Sequence, residues 1–141
     1  MIAALFGGCG EGSEASSSLT KAEFVKQADA VCAKRKTEWQ DAVVSYEKEV
    51  RAKGAQEEPA VQREIADELM RDSMLPALKG QLEQLEKLEA PEGSETQVKK
   101  MLQALSGAIR KVEDEGAKAL SEATFATFEE QADTLGVTCP L

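Results

Sequence analysis

The apolar positions of this chain follow one kind of spacing. From Phe24 they recur at Ala28, Val31, Cys32, Trp39, Val43, Tyr46 and Val50. Steps of three and four draw a single stripe along a helix. Arg35 falls on that stripe, where its alkyl stem can cover apolar surface while its head reaches water. Thr20 and Glu23 precede the stripe with the spacing of a capping box, in which each side chain takes the other residue's backbone N–H. Gly54 is the expected stop.

A second stripe runs through Val61, Ile65, Leu69, Leu75, Leu78, Leu82, Leu85 and Leu88. Pro59 suits its first turn, where a missing N–H has no consequence. Pro76 lies inside it and removes a backbone bond while crowding the carbonyl of Asp72, so a kink is expected near residues 72–76. A loop follows over Ala90–Ser94. Ser94, with Gln97 in the reciprocal position, predicts the cap of a third helix striped by Val98, Met101, Leu102, Leu105, Ala108, Ile109 and Val112. Gly107 sits mid-helix, which a close helix crossing would explain. Gly116 loosens or ends that helix. Ser121 or Thr124 begins the last one, striped by Phe125, Phe128, Ala132 and Leu135, with Gly136 as its C-terminal cap.

No period-2 run of any length interrupts these stripes. Four amphipathic helices with short connections predict an all-α fold, an antiparallel up-down-up-down four-helix bundle with its second helix kinked near Pro76. Composition agrees. Aromatic residues are 4% of the chain and the apolar set is mostly Ala, Leu and Val, which favours helix over sheet. Residues 1–18 differ from the rest in composition, so the helical domain is expected over residues 19–141.

Charge and residue types exclude several functions. The net charge is −9, which opposes nucleic-acid binding, since that affinity comes from cations meeting phosphates. There is no histidine. A Ser-His-Asp or Cys-His nucleophile is therefore impossible, and so is the Glu-x-x-His set of di-iron bundles. Glu83, Glu86 and Glu89, and the Glu113-Asp114-Glu115 run, read as solvated helix faces. No Asp-rich calcium loop is present. The expectation is a protein that is not an enzyme and uses no metal or other cofactor. Trp39 and Tyr46 lie seven residues apart on one helix face. With Arg35 they can line a ligand groove; the alternative is core packing with their polar atoms at the rim.

The chain opens on an apolar run, Ile2 to Phe6, followed by Gly7-Gly8-Cys9. Small residues before a cysteine resemble the lipobox of bacterial lipoproteins, in which the thiol receives a diacylglyceryl group and becomes the first residue after cleavage. Gly10 to Ser18 has the small, polar composition of a flexible tether. A secretory signal needs a basic start and ~7–15 apolar residues. Here eight residues precede Cys9 and none is basic, so the sequence is expected to start inside the signal. The resemblance implies a membrane anchor through lipid on Cys9, on the extracytoplasmic face of the cell membrane.

Cys32 and Cys139 remain. An exported chain sits where disulfides persist. In an alternating bundle, the start of the first helix and the end of the fourth lie at the same end, so the geometry permits a bridge, and a Cys32–Cys139 disulfide tying the first and last helices is expected. The alternative is a free buried Cys32 and a frayed Cys139. A bridge would close a loop of roughly a hundred residues, worth ~4.7 kcal/mol in the chain-entropy model. Asp29, three residues before Cys32, is placed to accept from backbone amides around Gly136 to Cys139.

Two stretches carry a further resemblance. Phe24-Val25-Lys26-Gln27-Ala28-Asp29-Ala30-Val31-Cys32 and Ala132-Asp133-Thr134-Leu135-Gly136-Val137-Thr138-Cys139, with Leu88-Glu89-Ala90-Pro91 between them, are similar to small secreted lipoproteins of actinobacteria. That family carries no established activity. The resemblance implies a lipid-anchored helical domain. The expected role is a non-enzymatic module that binds an envelope protein or a cell-wall component; the alternative is a small-molecule module with an apolar pocket near Trp39 and Pro76.

Overall fold

A computed structural model describes residues 18–140. Among them are helices α1 (Lys21–Ala52), α2 (Pro59–Leu69), α3 (Leu75–Glu86), α4 (Glu95–Glu115) and α5 (Glu122–Leu135), and no strand. α2 and α3 form one rod, joined without a loop by a π turn at Met70–Met74. The result is the expected helical bundle of four rods. α3 lies between α1 and α4, and α4 packs along α5.

The Pro76 interruption takes a specific form. Proline has no N–H to give and its ring would press on the carbonyl four residues back. The chain widens one turn before it: the Leu75 N–H donates to Met70 O, five residues away. The register of the buried face changes there. Met70, Met74, Leu78, Gln81 and Leu85 are buried, whereas the stripe read from the sequence passes through Leu69, Leu75 and Leu82, which are half-buried.

Caps close the two ends of the chain's helical domain, at Thr20 and Gly136. Thr20 and Glu23 form both bonds of the capping box. The hydroxyl and N–H of Thr20 hold the Glu23 carboxyl below the usual carboxylate range. Ser94 does not act as expected. Its φ of −112° and ψ of 3° are not the extended geometry an N-cap side chain needs, and it makes no cap bond. Gln97, its presumed reciprocal partner, instead donates to Gln131 Oε1 at 2.7 Å, linking α4 to α5. Gly136 ends α5 in the left-handed region at φ 83°. The Val137 N–H then bonds Ala132 O and the Gly136 N–H bonds Asp133 O, both at 2.9 Å. This is the six-to-one, five-to-two closure of a Schellman motif. It turns Val137–Pro140 back over the start of α1.

The core is built from Phe24, Ala28 and Cys32 of α1, Met101, Leu105 and Val112 of α4, and Phe125, Phe128 and Leu135 of α5, with α3 between them. Each such Leu or Phe contributes ~1.5–3 kcal/mol by leaving water. Gly107 takes no part in this packing. A Cβ there would meet nothing within 4 Å, so no close crossing explains it. Gly107→Ala is therefore expected to stabilise the protein by up to about 1 kcal/mol, read as a rise in the urea midpoint at constant slope.

Candidate functional site

Two places bear on the residues singled out from the sequence, beside a charged recess of about 710 Å³ where Arg63, Asp67 and Arg71 face Glu113–Gly116. The first is the end of the bundle where α1 begins and α5 ends. Cys32 and Cys139 form a disulfide with their Cα atoms 5.1 Å apart, across a sequence separation of 107 residues. Both are buried. Gln81 reaches them from α3; its amide lies 3.0 Å from Cys139 Sγ and 3.4 Å from Cys32 Sγ. Gln81 is one of two buried polar side chains among the described residues. Sequence reasoning missed it, although it sits between Leu78 and Leu85 at core spacing. Asp29 behaves as expected: its Oδ1 accepts the Thr138 N–H at 2.7 Å.

Arg35 is the other buried polar residue, 2% exposed. It does not reach water, because the returning tail covers it. Nη2 donates to Pro140 O, and the guanidinium carbon lies 5.8 Å from the Trp39 ring centroid. Nε and Nη1 are buried without hydrogen-bond partners. Burial pushes the guanidinium below its usual pKa, against the charge of Glu129, which raises it. A buried cation with two unmatched donors is costly, and exchange of such charges for apolar side chains is often stabilising. Arg35→Met is therefore expected to raise stability by about 1–2 kcal/mol, whereas Arg35→Ala, which leaves a hole, lowers it by about 2 kcal/mol. Thermal melts of the two variants beside the parent check the sign. A Met variant less stable than the Ala variant would contradict this account.

Of the expected groove residues, the structure brings Arg35 and Trp39 together. It does not add Tyr46 to them. Tyr46 borders a separate recess of about 260 Å³ with Val50, Gln56 and Gln62, where α1 turns into α2.

The second place is a cleft of about 440 Å³ between α1 and the π turn with α3. α1 contributes Lys34, Glu38, Asp41, Ala42 and Ser45; the facing rod contributes Ser73, Pro76, Ala77, Gly80 and Gln84. Each set follows helical spacing, so two helix faces oppose each other. The centre is small and apolar, and the borders carry hydroxyls, carboxylates, an amide and one ammonium. Lys34 lies 3.9 Å from Glu38. This cleft adjoins Pro76, as expected, but Trp39 does not line it, and its walls are half polar rather than apolar.

Among the described residues, no group of three or more Cys, Asp or Glu side chains is placed to hold a metal ion. No described helix is long and apolar enough to cross a membrane. Cys9 and residues 10–17 of the stretch expected as a tether lie outside the described residues. No protein-family model, curated protein or solved structure matches the chain.

Proposed function

We propose that this protein is an extracytoplasmic lipoprotein, held to the cell membrane by lipid on Cys9, whose helical domain is a non-enzymatic binding module of the cell envelope. The observation that carries this reading is the buried Cys32–Cys139 bridge. Such bonds persist in oxidising compartments and are rare in the cytosol. The bridge is integrated with the fold through Gln81, Asp29 and Arg35. The lipobox-like Gly7-Gly8-Cys9 and the resemblance to secreted actinobacterial lipoproteins support the anchor.

The intact mass of the mature native protein tests both parts. The expected result is a chain beginning at an acylated Cys9 and lacking two hydrogens for the Cys32–Cys139 bond. A protein with an unmodified Cys9 in the soluble fraction overturns the anchor. Pull-down from native envelopes addresses the binding role, and recovery of nothing above background removes its support. A small-molecule role has one specific observation in its favour. The α1–α3 cleft, at about 440 Å³, falls within the ~300–1,000 Å³ of ligand sites.

A further inference from the structure

We propose that the α1–α3 cleft is a binding site for a small neutral polyol, of which a saccharide unit is the class that fits. This inference rests on the binding-module reading above and names its ligand chemistry. Size comes first: about 440 Å³ accommodates one or two sugar rings.

Chemistry narrows the choice. The floor is Ala42, Ala77 and Gly80, beside Pro76. A Cβ built on Gly80 meets nothing within 4 Å, so this part of the floor opens onto unfilled space. Around it stand Asp41, Ser45, Ser73 and Gln84. None of these four side chains has a hydrogen-bond or ion-pair partner among the described residues. The π turn, a form frequent at functional sites, carries Ser73 onto this face.

Three other ligand classes fit less well. An anion would meet Glu38 and Asp41. A cation would find Asp41 alone, because Glu38 already faces Lys34. A wholly apolar ligand would strip water from four polar groups and give them no partner. A polyol places its C–H face on the Ala/Gly floor and its hydroxyls against Asp41, Ser45, Ser73 and Gln84. No aromatic ring lines the cleft, so stacking contributes nothing and affinity is weak, about millimolar.

The test is a titration of the isotope-labelled protein, followed by amide chemical shifts. The probes are maltotriose, N-acetylated chitotriose and, separately, spermidine. Saturating shifts confined to amides near Ala42, Ser45, Ser73 and Gly80 are expected with at least one saccharide. Gly80→Leu, which fills the cleft from an open helical position, is expected to weaken that binding by about tenfold or more, or ~1.4 kcal/mol. Gly80→Ala serves as the folding control and should melt no lower than the parent. Ser45→Ala with Ser73→Ala should weaken binding without changing the fold.

Absence of saturation with both saccharides at about 50 mM overturns the proposal; so does binding that Gly80→Leu leaves unchanged. Spermidine shifting the same amides in their place overturns the polyol assignment while a small-molecule module stands. Recovery of an envelope partner in the pull-down, with all three probes silent, separates failure of this inference from failure of the binding role.

Discussion

Cys32→Ala/Cys139→Ala is expected to melt about 15–25 °C below the parent, a loss of about 4–5 kcal/mol. The bridge spans 107 residues, nearly the whole helical domain. Without it the unfolded chain regains the freedom of a loop of that length, and the chain-entropy model assigns ~4.7 kcal/mol to such a closure. The native side adds to the loss. Gln81 is buried and its amide lies against both sulfurs, so removal of the sulfurs leaves a buried donor without those acceptors. The hydrogen bonds that then tie the tail to α1 are those of Asp29 to Thr138 and Arg35 to Pro140. Calorimetry of the double variant beside the parent measures the shift. A change below about 5 °C would show that the closure contributes little.

The same dependence bears on location. A domain whose stability margin is typically 5–15 kcal/mol cannot lose a third or more of it without consequence. Full stability thus requires the oxidised form, which an extracytoplasmic compartment maintains. Cys9 has no part in this dependence, so the proposal of export stands on different residues from the proposal of the anchor.

Most of the architecture was legible because it follows from spacing. The stripe Phe24–Ala28–Cys32, the caps at Thr20 and Gly136, and the pairing of two cysteines at one end are local patterns plus one topological step. What could not be read is what depends on three-dimensional coverage. Arg35 was expected to reach water, yet the tail from Gly136 closes over it. Pro76 announced an interruption, but only the π turn sets which of Leu69 or Met70 faces inward. Gln97 suits a cap, yet a partner at Gln131 on another helix competes for it. Of the candidate cleft, Pro76 was singled out in the sequence and lines it, while Ser45, Ser73 and Gly80 carry no periodic signal. Small and polar residues on two helices become a site only when their faces oppose each other.

Helix α1 supplies the second large effect, and its two halves should respond differently. Phe24→Ala is expected to destabilise the protein by about 3–5 kcal/mol, while Val44→Ala on the same helix changes stability by less than about 0.5 kcal/mol. Phe24 is fully buried at the bridged end, in one cluster with Ala28, Cys32, Phe128 and Leu135. Truncation there removes an aromatic ring from a site fixed by the disulfide and the Schellman turn, so collapse around the hole is restricted. Val44 is 64% exposed, and Val43, which the sequence stripe placed inward, is 42% exposed; Ala42 is buried in their stead. The stripe drifts because a straight helix gains ~100° per residue, and over 32 residues small departures from ideal spacing rotate the apolar edge off the core. Denaturant unfolding of both variants at matched slopes gives the two values. Equal losses at Phe24 and Val44 would mean that α1 is packed along its whole length, and would contradict a core concentrated where the chain's two ends are tied.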